Sequence, residues 1–132
     1  MNDVSSRKFR SRIFRKNILR AYDSRCTLTG FKFINGSGRA EVEAAHIKPV
    51  EHDGPDMVGN GLALSWTVHW VFDRGLITLT DDLDIVVSRY VNDVDNIWQL
   101  LNNSKKATPP DRNLDCPLPY FLNWHRENCV KA

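Results

Sequence analysis

The sequence predicts a small α+β domain, and three patterns indicate this class. Apolar residues recur at helical spacing over residues 9–22. Residues 40–76 pass from a strand pattern through a glycine-rich loop to a second strand and a short helix. Two further β-rich runs flank the acidic segment 81–84. With 132 residues, of which 42% are hydrophobic, the chain fits one domain over 1–132 with a modest buried core.

The first predicted element is a basic amphipathic helix over residues 9–22. Its apolar side is formed by Phe14, Ile18, Leu19 and Tyr22. The first 25 positions hold 8 of the 18 basic residues and two acids. Such a surface attracts phosphate, so a nucleic-acid contact is one interpretation and a solvated helix face is the other. The candidate nucleic-acid contacts on this helix are Arg12, Arg15 and Lys16.

The middle of the chain predicts two strands followed by a helix. Residues 40–47 and 62–64 have strand composition, and residues 51–61 between them contain three glycines and a proline, which favour a loop. Residues 65–67 offer an N-cap for a helix over 68–74.

The rest of the chain predicts a hairpin and two helices. The β-rich runs 76–80 and 85–90 are expected to pair and to extend the small sheet. Residues 95–101 predict a short helix, and Pro119 suits the first turn of a final helix that ends near Cys129.

Three motifs fall within the strand, loop, strand and helix. The chain reads Ala-His-Ile-Lys-Pro at 45–49, Asn-Gly-Leu at 60–62 and His-Trp-Val-Phe-Asp at 69–73. This order resembles the HNH branch of the ββα-metal superfamily found in bacterial restriction enzymes, and residues 120–128 resemble a segment that often closes this branch. The resemblance implies a ββα-metal (His-Me finger) core over about 40–76, extended by the basic helix and by a hairpin and C-terminal helices over 76–130.

The resemblance also implies a metal-dependent endonuclease that leaves a 5′-phosphate and a 3′-hydroxyl on DNA. His46 matches the first histidine of the motif, and an imidazole with a pKa near ~6.5 can accept a proton from water at neutral pH, so it is the predicted general base. Asn60 matches the family's asparagine, which braces the loop and orients the base, although an Asn-Gly turn is a second reading. His69 completes the predicted catalytic set.

His69 and Asp73 are the predicted metal ligands because residues four apart share one face of a helix. Asp73 alternatively ends the helix as an acid paired with Arg74 or another cation. In much of the superfamily the residue before the general base is also a ligand, but here it is Ala45. Glu43 and Asp56 are fallback ligands. Mg²⁺ is the expected ion, with Mn²⁺, Ni²⁺ or Zn²⁺ as alternatives.

Other polar and aromatic residues receive weaker assignments. Lys48 and Arg74 flank the catalytic elements and are expected to contact phosphates or to remain solvated charges. His52 and His125 are expected to be structural or peripheral. The tryptophans are expected to pack in the core or to hold the domain together rather than to stack on bases, with Trp70 as a wall of the site. The four tryptophans are Trp66, Trp70, Trp98 and Trp124.

The cysteines and the hydropathy indicate the cellular compartment in which the protein is expected to work. Cys26, Cys116 and Cys129 form no Cys-x-x-Cys pair, so reduced thiols are expected, and packing is expected to replace the zinc of related nucleases. An apolar run of membrane-spanning length and a secretion signal are both missing, so a cytoplasmic location is expected.

Several partners and functions stay open at this point. DNA is the expected partner, and a homodimer or a separate DNA-reading domain or subunit is the alternative to a chain that acts alone. A catalytically inactive DNA-binding module on the same scaffold is the second function. A nuclease of structural RNA is the third.

Overall fold

The computed structural model describes residues 3–130 of the protein. Its helices and strands, in chain order, are α1 (Asp3–Ala21), β1 (Glu43–His46), β2 (Gly61–Leu64), α2 (Trp66–Asp73), β3 (Ile77–Leu79), β4 (Ile85–Val87), α3 (Val94–Leu100) and α4 (Pro119–Asn128). Every predicted element is therefore present. None of the helices in this part of the chain combines the length and the hydropathy needed to cross a bilayer.

Two boundaries differ from the prediction. Helix α1 begins at Asp3 instead of residue 9. Strand β1 is half as long as the strand expected over 40–47. The guanidinium of Arg15 donates to the carbonyls of Val42 (2.8 Å) and Ala40 (3.1 Å), so a side chain takes the acceptors that a partner strand would need.

The four strands form two separate antiparallel pairs. Glu43 pairs with Leu64 and His46 pairs with Gly61 across β1 and β2, while β3 pairs with β4. The predicted hairpin is confirmed, but the expectation that it extends the first sheet is wrong. Its β4 side is covered by the 105–107 segment, whose backbone exchanges hydrogen bonds with Ile85 and Leu83, and its β3 side packs on α4.

Helices α1 and α2 cover opposite faces of the β1–β2 sheet. Successive side chains of a strand point to alternate faces, so His46 and Glu43, three positions apart, face different ways. The ring of His46 stacks on Phe14 of α1, whereas Glu43 contacts His69 of α2. This arrangement places the base candidate and the metal-ligand candidates on different faces of one small sheet.

Helix α4 is tied to α2 and β3 through a buried histidine. His125 stacks on the ring of Phe72, with centroids 4.0 Å apart. Its Nδ1 accepts from Thr78 Oγ1 (2.8 Å), and its Nε2 donates to the Phe72 carbonyl (3.1 Å). Burial lowers the pKa of His125, in keeping with a neutral ring that accepts at one nitrogen and donates at the other. These contacts support the structural interpretation of His125.

The prediction that the tryptophans are buried is wrong for two of them. Trp66 is 66% exposed and Trp70 is 53% exposed, whereas Trp98 is partly buried against the core. The buried side of α2 is formed by Val68, Val71 and Phe72, so the two exposed indoles occupy its outer side.

Within residues 3–130, none of the three cysteines forms a disulfide. Cys26 is buried, and its Sγ accepts a hydrogen bond from the backbone N–H of Ser65 (3.3 Å). This contact joins the N-terminal part of the chain to the start of α2.

Candidate active site

His46 is the last residue of β1, and its ring is held on two sides. It lies parallel to Phe14, with centroids 4.0 Å apart and an interplanar angle of 9°. Its Nε2 lies 2.8 Å from Oδ1 of Asp56, which itself lies 3.7 Å from Arg10 Nε. When Nε2–H donates to this carboxylate, Nδ1 carries the free lone pair. The arrangement can therefore fix one tautomer and leave the other nitrogen able to accept a proton.

Asn60 is fully buried, and its amide closes the loop that follows His46. Its Oδ1 accepts from the N–H of Lys48 (2.8 Å), and its Nδ2 donates to the carbonyls of Lys48 (3.0 Å) and Pro55 (3.0 Å). The carbonyl of Asn60 also accepts from the N–H of Ile47 (2.9 Å). The amide thus joins both ends of the loop to the end of β1.

The Asn-Gly turn reading does not describe this segment. Asn60 ends a 3₁₀ turn, and Gly61 has an extended backbone with φ −138°. A Cβ on Gly61 would lie 2.3 Å from Ile18 Cδ1 and 2.8 Å from Phe14 Cζ. The close approach of α1 to β2 therefore explains the glycine at position 61, and its backbone does not have the left-handed conformation of an Asn-Gly turn.

His69 lies between two carboxylates. Its Nδ1 is 2.7 Å from Glu43 Oε1, and its Nε2 is 3.1 Å from Asp73 Oδ2. The hydrogen bond to Asp73 is the largest cause that raises the pKa of His69 to about 8; burial opposes it, and the hydrogen bond to Glu43 adds to it. In this arrangement a protonated His69 donates to both acids.

The donors around His69 suit a divalent cation. One imidazole and two carboxylates match the ligands that Mg²⁺, Mn²⁺ and Zn²⁺ accept in proteins. Within residues 3–130, no group of three or more such side chains is already arranged as a metal cage. A cation would have to displace the proton of His69 and redirect Glu43 or Asp73, so binding is expected to compete with protons.

The path of α2 brings Asp73 toward the end of β1 that carries His46. His69 contacts Glu43 at the start of β1, and Asp73 lies one turn further along the helix. Asp73 lines a cleft of about 600 Å³ together with residues 49 and 51–53 of the loop after His46. A substrate group in this cleft can therefore approach both the acidic end of α2 and the loop that His46 precedes.

The predicted phosphate contacts fall into two groups near the site. Lys48 Nζ lies over the rings of Tyr120 (5.5 Å) and Trp124 (5.7 Å), beside the loop that Asn60 closes. The guanidinium of Arg74 lies 4.0 Å from the centroid of Trp70, so its contact is an indole and not the carboxylate of Asp73.

The candidates on α1 differ in accessibility. Arg12 and Lys16 are exposed, whereas Arg15 is committed to the carbonyls of Ala40 and Val42. Burial is the main cause that lowers the pKa of Arg15, and the charge of Arg39 adds to it. The geometry of Arg15 supports a structural role.

Two acidic residues gain contacts that the sequence did not suggest. Asp56, a fallback metal ligand, pairs with His46. Glu41 accepts from Ser65 Oγ (2.8 Å) and from the N–H of Trp66 (3.0 Å) at the start of α2. Ser65 occupies the predicted N-cap, but Glu41 supplies the capping oxygen. No local pattern signals this pairing, because the two residues are 24 positions apart.

Comparisons with known proteins found a matching family model and a similar solved structure. Residues 26–80 match the sequence profile of the family described as HNH endonuclease. A solved structure described as a modification dependent TagI restriction endonuclease is similar at 26% identity with a TM-score of 0.65. The similarity covers 90% of this chain, which spans 38% of the TagI chain. No curated protein matches the sequence. The family match and the similar structure support an HNH, restriction-enzyme-like protein, and the strand–strand–helix unit fits an α+β ββα-metal fold.

Proposed function

We propose that the chain is one nuclease domain, 1–132, that hydrolyses DNA phosphodiester bonds with a divalent metal ion. The carrying observation is that His46 is paired with Asp56 at the end of a strand, while the donor set of His69, Asp73 and Glu43 lies beside the same sheet. Hydrolysis needs an activated water and stabilisation of charge on the phosphate, and these two groups of residues suit those needs.

His46 is the general base in this proposal. Asp56 accepts a hydrogen bond from Nε2–H of His46, and the ring of Phe14 stacks on the imidazole and fixes its plane. The Nδ1 lone pair is then left to take a proton from water. Asp56 acts as a positioning residue, and Asn60 fixes the loop on which Asp56 and Lys48 stand.

His69 and Asp73 hold the metal in this proposal through Nε2 and a carboxylate oxygen, and Glu43 accepts from Nδ1–H of His69 and so orients the ring. Glu43 is the fallback ligand. A bound divalent cation supplies positive charge that stabilises the negative charge developing on the phosphate. Mg²⁺ is the first candidate, and Mn²⁺, Ni²⁺ and Zn²⁺ also fit an imidazole and carboxylate donor set. Lys48, Arg74, Arg12 and Lys16 supply phosphate contacts.

The biological setting is a restriction or phage-defence system. This proposal is supported by the structural similarity to a restriction endonuclease, although this chain spans 38% of that protein's length. In such a system the domain works in the cytoplasm with a homodimeric partner or a separate DNA-reading domain or subunit.

Cleavage of supercoiled plasmid tests the function. We expect Mg²⁺ or Mn²⁺ to support cleavage, EDTA to abolish it, and His46→Ala and His69→Ala to lower it by about a hundredfold or more, within the range of one base in acid–base catalysis. Tyr90→Ala is the control, because Tyr90 is an exposed aromatic residue beyond β4 that contacts Arg89 and lines no part of the proposed site. Binding without cleavage under every metal would favour the inactive DNA-binding module.

A further inference from the structure

The outer side of α2 carries two exposed indoles beside His69. Trp66 precedes His69 by three residues and Trp70 follows it directly, so Trp66, His69, Trp70 and Asp73 share one side of the helix. Trp66 is 66% exposed and makes no contribution to the core. A large indole held in water beside the proposed metal ligands suggests a binding surface.

Trp66 also forms one wall of a pocket of about 480 Å³. The size falls within the range of about 300–1,000 Å³ that is usual for ligand sites. Its lining includes Phe33, Arg39, Glu41, Glu43, Arg15 and Trp66. Glu43 joins this pocket to the proposed active site, because it also contacts His69 Nδ1 at 2.7 Å.

The start of α2 fixes the position of Trp66. The carboxylate of Glu41 accepts from the backbone N–H of Trp66 and from Ser65 Oγ, so the first turn of the helix is anchored to the segment that forms the pocket's other side. Because this turn is already fixed, the indole of Trp66 can stack on a ligand without the entropic cost of ordering a loop.

The charges of the pocket favour a base over a phosphate. Glu41 and Glu43 balance the charges of Arg15 and Arg39, so the lining has no net positive charge to attract a phosphate. Glu41 is also committed to the start of α2, and Arg15 to two backbone carbonyls. The remaining features are the exposed rings of Trp66 and Phe33 and the exposed guanidinium of Arg39. Aromatic faces with one hydrogen-bond donor group match a nucleobase.

We propose that this pocket binds an unpaired nucleobase of the DNA substrate, stacked on Trp66, next to the phosphodiester that is cut. The proposal rests on the function proposed above. Bases inside a duplex are already stacked, so the base must come from a single strand, a mismatch or a flipped nucleotide. The domain then prefers DNA that exposes a base beside the cleaved bond.

Binding without cleavage tests this proposal separately from the nuclease function. Fluorescence anisotropy in EDTA compares a labelled oligothymidylate with a matched duplex for the native chain, Trp66→Ala and Trp66→Phe. Tyr90→Ala is the matched control, because Tyr90 is an exposed aromatic residue just beyond the hairpin strand β4. Thermal melting of each variant reports its folding.

We expect Trp66→Ala to weaken single-strand binding about 5- to 100-fold, as for the loss of one base–aromatic stack. Trp66→Phe should keep most of the affinity, and Tyr90→Ala and duplex binding should change little. Equal loss on single strand and duplex, or no loss at all, would overturn the proposal and leave the nuclease function standing. Should Trp66→Ala melt early, Phe33→Ala removes the second ring of the pocket, and unchanged single-strand affinity in that variant overturns it as well.

Discussion

The position of His69 between two carboxylates couples its protonation to folding. The hydrogen bonds to Asp73 and Glu43 raise its pKa from 6.5 to about 8 in the folded protein. Because the folded-state pKa lies above the unfolded value, the stabilisation is fully present below pH 6.5 and is lost as the pH rises through about 8. A shift of this size corresponds to about 2 kcal/mol. Asp73 is 52% exposed, so screening reduces the expected contribution to about 1 kcal/mol.

We predict that the metal-free protein loses about 1 kcal/mol of unfolding free energy as the pH rises from 6.5 to above 8, relative to His69→Gln. Glutamine keeps a polar side chain but cannot carry the proton. Urea unfolding in EDTA at a series of pH values measures the difference between the two proteins. A difference that stays constant across this window would contradict the coupling.

Some site residues can be recognised from a short sequence motif, whereas the roles of others depend on contacts between distant parts of the chain. His46, Asn60 and His69 were identified from motifs whose order is written along the chain. The pairing of Asp56 with His46 and of Glu41 with Ser65 depends on how the loop and the first strand pack against α1 and α2. An isolated acid in a loop or before a strand carries no spacing that distinguishes a positioning residue from a metal ligand or a solvated charge.

At the scale of elements, the approach of α1 to β2 determines how His46 is held. Gly61 leaves room for Ile18 and Phe14, and Phe14 in turn stacks on His46. A side chain at this position must displace one of those two residues, because the gap left for a Cβ is 2.3 Å on the Ile18 side.

We predict that Gly61→Ala destabilises the fold by about 1–3 kcal/mol, the usual cost of overpacking a buried contact. The variant should also cleave plasmid more slowly at temperatures where it remains folded, because Phe14 shifts against His46. Gly36→Ala is the matched control, since a Cβ there meets no atom within 4 Å. Chemical unfolding and cleavage rates, measured on the same preparations, check both effects. Equal stability of the two variants would show that α1 adjusts without strain.

The elements themselves were predictable where the pattern is local, and less so where it depends on packing. The order of strands and the start of the last helix at Pro119 follow from composition and from proline geometry. Membership of β3 and β4 in a separate sheet depends on α4 and on residues 105–107, which no strand pattern reveals. Helix α2 is apolar on most sides, so its periodicity does not tell which tryptophans face the solvent.

At the scale of the whole molecule, a net charge of +2 hides an uneven distribution. Helix α1 presents exposed cations on its outer side, among them Arg12 and Lys16, while Arg15 faces the strands. On the opposite side of the sheet, Glu43 and Asp73 surround His69. Arg12 and Lys16 lie on the side of α1 opposite Phe14, which stacks on His46, so they can attract DNA to the helix without contacting the proposed base.

We therefore predict that α1 supplies much of the salt dependence of DNA binding. Each phosphate contact contributes about 0.9 to the slope of log K against log salt for duplex DNA, so the double variant Arg12→Gln, Lys16→Gln should lower the slope by about 2. The double variant Arg89→Gln, Lys105→Gln removes the same charge from outside α1, where these side chains lie over the rings of Tyr90 and Trp98. Anisotropy titrations in EDTA over a range of salt concentrations measure both slopes. Equal reductions in the two variants would mean that overall charge, and not a binding surface on α1, draws DNA to the protein.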